Sequence, residues 1–306
     1  MCQNLNIRIH IKNKERARKE KSEDKELCCK GDIQMFTVDL QAVQTIPLLS
    51  TGANYFKTKL CVHQFTIYNE FDKNVNCYVW HEAEGGMDSN VFTSCLLDFL
   101  EKLEDKSKPI IIYSDGCCAQ NRNVTLSNAL QQYAITHHAE IQQKYLVVGH
   151  TQMECDSVHA SIERKKKGRE LYVPADFNTV INQSRLSQPY RVNYLKHTFF
   201  RDFSQINYLK SIRPGTKKGD PCVVDLRALK YTLNDGVQYK LCFDEEWNIL
   251  PHYKLRPQVQ HNDDLVIPGL YNQPLPISKR KYEDLQDLKR MIPADYHSFY
   301  DNLPTQ

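Results

Sequence analysis

The chain has 306 residues, of which 41% are hydrophobic and 25% charged, and both values are ordinary for a globular protein. Its net charge of +3 permits a polyanionic partner without requiring one. No apolar run approaches the length of a membrane span and the N-terminus lacks the apolar stretch of a signal peptide, so we expect an intracellular protein with no membrane partner.

The cysteines indicate the redox environment. There are 11 of them, an odd number, and they form neither a C-x-x-C pair nor a zinc-knuckle spacing. Free thiols in a reducing compartment therefore fit this sequence better than a disulfide framework.

Hydrophobic periodicity predicts a mixed α/β domain after a charged lead-in helix or flexible segment at residues 1–31. The predicted strands are Ile33–Gln41, Leu60–Tyr68, Asn76–Glu82, Pro109–Tyr113 and Gln143–Gly149. The predicted helices are Asn90–Asp105, capped at Ser89 or Asn90, then Asn123–His137 and Gln152–Lys165. The first three strands predict an antiparallel meander, and the two that follow helices must be parallel to a neighbour through right-handed crossovers.

The stretch Lys108–Asn123, KPIIIYSDGCCAQNRN, joins an apolar strand to a turn. The continuous isoleucine-rich run indicates a strand covered on both faces. Asp115 follows it directly, and open α/β sheets place their sites at the carboxyl ends of strands. The alternative is that Asp115 only shapes the turn or caps the next helix.

Asp39 lies inside the first apolar strand, IQMFTVDLQ, where packing does not call for an acid. A buried charge is costly unless it is paired or binds a metal. The simplest topology places the Asp115 strand beside the Asp39 strand and parallel to it. The two carboxylates would then be neighbours at one end of the sheet.

This arrangement resembles the ribonuclease-H-like fold of integrases and DDE/DDD transposases. In that family the first strand carries one Asp, the fourth strand ends near a second, and a helix after the fifth strand brings a third acid. Asp39 and Asp115 match the first two positions. The resemblance implies a mixed five-stranded sheet with flanking helices at residues 32–195. Residues 196–306 would add a small β unit, with a hairpin turn at Asn234-Asp235-Gly236, and a helix.

The predicted third acid lies on the helix after the fifth strand. Asp156 is favoured because His159 and Glu163 share its helix face. Glu154 points away from that face, so it and Asp156 are poorly placed to serve one metal.

Three segments are similar to an uncharacterised domain of transposon-derived proteins. They are D-G-C-C-A-Q-N-R-N at Asp115–Asn123, G-H-T-Q-M-E-C-D-S-V-H at Gly149–His159 and P-I-S-K-R-K-Y-E-D-L at Pro276–Leu285. This resemblance runs from about Ile33 to the C-terminus.

The resemblance implies cleavage or strand transfer on DNA, with Asp39, Asp115 and Asp156 as catalytic ligands of Mg²⁺ or Mn²⁺. Supporting candidates are histidines that orient water or shuttle a proton, acids on the same helix, and amides that cap a helix or bind a sugar or base edge. They are His150, His159, Glu154, Glu163, Gln120, Asn121 and Asn123. For His159 a packing role is the favoured alternative, and for the amides a helix cap.

A basic run follows the third acid and suits a nucleic-acid backbone, a nuclear import signal or a solvated helix end. It consists of Arg164, Lys165, Lys166, Lys167 and Arg169. Its position favours a DNA partner and a nuclear location, and leaves a homo-oligomer open.

Other functions stay open at this point. A catalytically inactive, transposon-derived nuclear protein that binds nucleic acid or acts as a scaffold would keep the same fold. A hydrolase or phosphatase with Asp115 as nucleophile is disfavoured by Gly116-Cys117, and for Cys117 or Cys118 as nucleophile no histidine partner can be assigned.

Overall fold

The computed structural model describes residues 2–146, 153–251 and 266–306, with side chains from residue 14 onward apart from residues 53 and 54. The helices are α1 (Cys2–Lys30), α2 (Ala53–Phe56), α3 (Ser89–Glu101), α4 (Val124–His137), α5 (Glu154–Lys166), α6 (Pro174–Asn182), α7 (Lys279–Lys289) and α8 (His297–Asp301). The strands are β1 (Gln34–Leu40), β2 (Gln44–Ile46), β3 (Leu60–Asn69), β4 (Val75–His81), β5 (Ile110–Ser114), β6 (Ile141–Tyr145), β7 (Arg191–Tyr194), β8 (Ala228–Thr232), β9 (Gly236–Lys240) and β10 (Asn248–Ile249). No helix in these ranges combines the length and apolarity needed to cross a bilayer.

The strands form one mixed sheet in the order β10-β9-β8-β6-β5-β1-β3-β4-β7, and β2 pairs with β3. β1, β3 and β4 form the predicted antiparallel meander. β5 is parallel to β1, and β6 is parallel to β5, as the helical crossovers require. The sheet is larger than the five strands predicted, because β8–β10 continue it antiparallel to β6 and β7 pairs with β4.

Both faces of the sheet are covered, as the continuous apolar run of β5 predicts. On one face Phe36 and Val38 of β1 pack with α3 and α4 in the largest core cluster. On the other face Met35 packs with Cys28 of α1 and Cys155 of α5. Thr37 and Asp39 have the parity of Met35, so they belong to the face that carries α1 and α5.

The structure corrects one predicted helix cap and confirms the predicted free thiols. α3 is capped by Asp88, whose carboxylate accepts a hydrogen bond of 2.9 Å from the Asn90 amide, so the cap predicted at Ser89 or Asn90 was wrong. The prediction of free thiols is confirmed for all ten cysteines whose side chains are described.

His81 at the end of β4 gives a testable pH dependence. Its side chain is 4% exposed, and burial lowers its pKa from 6.5 to about 4, since the charged ring loses its solvation. The neutral ring therefore stabilises the fold fully above pH 6.5, and this contribution is lost as the pH falls towards 4. Wild type should lose up to about 3 kcal/mol relative to His81→Gln between pH 7.5 and pH 4.

Urea unfolding of both proteins across that pH range measures the difference. The packing cost of the substitution is common to every pH and cancels in the comparison. A pH-independent difference would show that His81 is protonated equally in the folded and unfolded chains.

Candidate metal centre at the carboxyl end of the central strands

Asp39 and Asp115 lie at the same end of two adjacent parallel strands. The β1–β5 register pairs Thr37 with Tyr113, and two residues further along each strand come Asp39 and Asp115. Since side chains alternate with a period of two, both acids follow the same face. The predicted adjacency of the two acid-bearing strands is confirmed.

The Asp39 carboxyl lies in an environment that disfavours its charge. Its side chain is 17% exposed, and burial is the largest cause that raises its pKa from 3.8 to about 7. The negative charges of Asp115 and Asp156 raise it further. The charges of Asp115 and Asp156 therefore lie near enough to Asp39 to disfavour its ionisation.

Asp115 is oriented by its own loop. Its Oδ1 atom accepts a hydrogen bond of 2.8 Å from Asn121 Nδ2 and one of 3.1 Å from the Cys117 amide. Asn121 is 3% exposed, and its backbone carbonyl in turn accepts bonds of 3.2 Å from Gln143 and Tyr145. Asp115 can therefore both shape the turn and bind a ligand, because only one of its carboxylate oxygens accepts hydrogen bonds from the turn.

Arg122 is a residue of this loop that the sequence reasoning missed. Its guanidinium lies 4.4 Å from the Tyr145 ring centroid and donates to the carbonyl oxygen of Val224 at 2.7 Å. A Cβ atom on Gly116 would come within 2.2 Å of Arg122, so glycine is needed for this close approach. In the sequence, the signal that could have identified Arg122 was its occurrence together with Gly116 in the DGCCAQNRN segment.

Asp156 lies in the first turn of α5. Its Oδ2 atom accepts a hydrogen bond of 3.0 Å from the Met153 amide, which caps the helix. Asp156 therefore has a structural role as well as an electrostatic influence on Asp39 and His159.

His159 lies between the acids and the sheet. One ring nitrogen, Nε2, is 2.9 Å from Thr66 Oγ1, and Nδ1 is 3.8 Å from Asp39 Oδ2. Burial lowers the pKa of His159 to about 4, although Asp156 and Glu163 oppose the shift. The ring is neutral at pH 7, so its contact with Asp39 is polar and is not an ion pair.

The other two acids of α5 have partners elsewhere. Glu154 accepts hydrogen bonds from Lys21 at 2.7 Å and Thr37 at 2.9 Å, and it also pairs with Lys25. Glu163 accepts bonds of 2.9 Å from the side chains of both Gln41 and Gln44. Neither acid is among the charges that raise the pKa of Asp39.

The remaining polar candidates divide by role. Asn123 caps α4 by accepting a hydrogen bond of 2.9 Å from the Leu126 amide. The backbone carbonyl of Gln120 accepts a bond of 3.3 Å from Asn123 Nδ2. His150 lies outside the described residues.

The basic run extends from the end of α5 into solvent. Lys166 pairs with Glu163 at 2.6 Å, and Arg169 donates a hydrogen bond of 2.9 Å to the neutral side chain of Gln183. Arg164, Lys167 and Arg169 are exposed, whereas Lys165 and Lys166 are half-buried. Most of this positive charge therefore remains available to a partner.

The donor chemistry at the acids fits a hard divalent cation. Carboxylate oxygens are the preferred ligands of Mg²⁺, and a cation would relieve the mutual repulsion at Asp39. As placed, no three His, Cys, Asp or Glu side chains within the described ranges lie close enough together to hold a metal ion.

One family matches the chain. Residues 51–215 match the family described as Domain of unknown function (DUF7869), and this match covers more than half of the 306 residues. It includes Asp115, Asp156 and the basic run, whereas Asp39 lies before it. No curated protein and no solved structure matches the chain.

Proposed function

The chain belongs to the DUF7869 family of domains of unknown function, and for it we propose metal-dependent cleavage or strand transfer of phosphodiester bonds in DNA. The observation that carries the proposal is the placement of Asp39 and Asp115 at the same end of neighbouring strands, where burial and the charge of Asp115 raise the pKa of Asp39 to about 7. Metal ligands are a common reason for a fold to hold acids this close. The meander followed by two parallel strands also supports a ribonuclease-H-like fold.

The proposed chemistry assigns distinct roles to the side chains. Two divalent cations, Mg²⁺ or Mn²⁺, would supply an activated water or hydroxyl and stabilise the leaving oxygen. Asp39, Asp115 and Asp156 would hold them, while Asn121 fixes the orientation of Asp115. His159 is neutral at pH 7, and its lowered pKa suits it to orienting a water molecule rather than to accepting a proton.

The partner proposed for this site is DNA. The basic run begins in the last turn of α5, the helix that carries Asp156 in its first turn. Phosphates that contact the basic run would therefore bind the same helix as the proposed metal ligand. The same run would serve as a nuclear import signal, which gives a nuclear location. Sedimentation of the full chain would measure whether it self-associates.

The test is a cleavage and strand-transfer assay with the full chain on supercoiled plasmid and short duplexes. We expect activity with Mg²⁺ or Mn²⁺ and none with EDTA. Asp115→Asn should reduce the rate by about 10²-fold or more, because it removes a charge needed at the reacting centre. The matched control is Asp32→Asn, an exposed acid in the turn between α1 and β1, which should leave the rate unchanged.

A second candidate function is a catalytically inactive nucleic-acid-binding or scaffold protein that keeps this fold. The capping bond from Met153 to Asp156 favours it, since a helix cap alone accounts for that acid. In this case divalent cations should leave the thermal midpoint unchanged, whereas a ligand that binds only the folded chain must raise it. Wild-type protein that neither cleaves DNA nor gains stability from Mg²⁺ or Mn²⁺ contradicts the catalytic proposal.

A further inference from the structure

The loop between β2 and β3 holds two aromatic side chains in solvent. Tyr55 and Phe56, at the end of α2, are 86% and 82% exposed. Their rings contact each other edge to face, with centroids 5.2 Å apart. Aromatic side chains contribute to stability mainly through buried area, so packing within the chain does not explain this pair.

The loop is anchored on both sides of the aromatic pair. Before it, the Ser50 amide donates a hydrogen bond of 3.0 Å to Glu170. After it, the Thr58 amide donates a bond of 2.9 Å to Asp284, and Lys57 pairs with the same carboxylate at 3.0 Å. These contacts hold the residues on both sides of the aromatic pair in place, while Tyr55 and Phe56 themselves remain exposed.

The same loop runs alongside the basic run. In β2, just before the loop, Gln44 donates to Glu163 at 2.9 Å, one residue before the basic run begins. Further on, Leu48 and Leu171 exchange backbone hydrogen bonds of 2.8 and 2.9 Å, just after the basic run ends. The loop also leaves the sheet at the end of β1 that carries Asp39. Aromatic rings, basic side chains and acids therefore share one end of the molecule.

The charge of the basic run is only partly used within the chain. Lys166 is paired with Glu163, whereas Arg164, Lys165 and Lys167 make no ion pair with a described residue. Three cations and two exposed aromatic rings at the same end of the sheet complement a polyanion that also presents flat apolar faces. Among macromolecules, a nucleic acid with unpaired bases has this combination.

We propose that Tyr55 and Phe56 stack on unpaired bases of a nucleic acid whose phosphates lie along the basic run. This inference rests on the proposed function and narrows its substrate to single strands, frayed ends or locally opened duplexes. In an intact duplex the base faces are stacked on one another, so the rings gain nothing from it. Stacking tolerates any sequence, because every base has a π face.

The test measures binding rather than cleavage. Fluorescence anisotropy of the full chain in EDTA would compare a single-stranded oligonucleotide with a duplex of the same length over a range of salt concentrations. Wild type should prefer the single strand. The Tyr55→Ala/Phe56→Ala double variant should bind the single strand about 10- to 100-fold more weakly, with little change for the duplex and the same salt slope.

Two variants serve as controls. Arg164→Gln/Lys165→Gln/Lys167→Gln should weaken binding to both oligonucleotides and lower the salt slope by about 2. Phe71→Ala removes an aromatic residue that is 62% exposed in the β3–β4 turn, at the opposite end of the sheet, and should change nothing. All variants should keep the wild-type thermal midpoint because the replaced side chains lie mainly in solvent.

The outcomes separate this inference from the proposed function. Unchanged single-strand binding by the aromatic double variant overturns the inference, even if the wild-type chain cleaves DNA with Mg²⁺. Pair-dependent binding without cleavage supports the inference and contradicts catalysis. Wild type that binds neither oligonucleotide overturns the inference. Loss of self-association in the double variant, with normal oligonucleotide binding, would assign the pair to a protein interface and also overturn it.

Discussion

Replacing Asp39 by asparagine should stabilise the folded chain at pH 8 in EDTA by on the order of 2–4 kcal/mol. Burial and the charges of Asp115 and Asp156 raise the pKa of Asp39 from 3.8 to about 7. Folding therefore favours the protonated Asp39 carboxyl. The stability that this protonated carboxyl contributes to the folded chain is complete below pH 3.8. It is lost as the pH rises through 7. Asparagine occupies nearly the same volume without the charge.

The difference between Asp39→Asn and wild type should thus be near zero at pH 4 and reach its full value above pH 7. Urea unfolding at both pH values measures it, and Asp32→Asn should show no such change. Addition of Mg²⁺ or Mn²⁺ at pH 8 should stabilise wild type and leave Asp39→Asn nearly unaffected. An asparagine variant that is less stable than wild type at pH 8 would mean that Asp39 is already ionised at no cost.

Replacing Lys144 by methionine should destabilise the chain by about 3–5 kcal/mol, because it leaves the buried Asp24 carboxylate without its cation. Lys144, 4% exposed, donates hydrogen bonds of 2.7 Å to Asp24 and 2.6 Å to Glu20, both on α1. The hydroxyl of Tyr113 donates to the same Asp24 oxygen at 2.7 Å. Burial raises the pKa of Asp24, and the charge of Lys144 opposes that shift. Without the lysine, the Asp24 carboxylate would remain buried with no compensating charge.

A double-mutant cycle with Asp24→Asn isolates the pair, since the second substitution should restore most of the loss caused by the first. The matched control is Lys102→Met, whose lysine side chain is 62% exposed and pairs with Asp98 at 2.6 Å. An exposed pair of this kind contributes about 0–1 kcal/mol. Equal losses for Lys144→Met and Lys102→Met would contradict the assignment of α1 to this buried network.

The pattern of apolar residues was sufficient to predict the centre of the sheet. The apolar residues of β1 and the uninterrupted run of β5 mark strands that are buried on both faces, and helical crossovers leave few topologies. The adjacency of Asp39 and Asp115 followed from that reasoning alone. Their mutual repulsion is a consequence of the same register.

Contacts between distant segments were not predictable in this way. Glu154 was recognised as pointing away from Asp156, yet its lysine partners lie about 130 residues earlier, in the stretch predicted as a charged lead-in helix or flexible segment. Likewise, Asn121 and Asn123 have the same side chain, and only the path of the loop decides which holds Asp115 and which caps α4. The β8–β9 hairpin was visible in the sequence, but not its docking beside β6.

The buried ion pairs of α1 set an order for assembly as the chain is made. This helix is synthesised before its partners, because Lys144 and Glu154 follow between 120 and 133 residues later. Until then Asp24 lacks the charge of Lys144, and a charged helix of this composition gains little by collapsing alone. Although α1 precedes the sheet in the chain, it is therefore among the last of these elements to dock, and truncations that end before β6 should leave it unstructured.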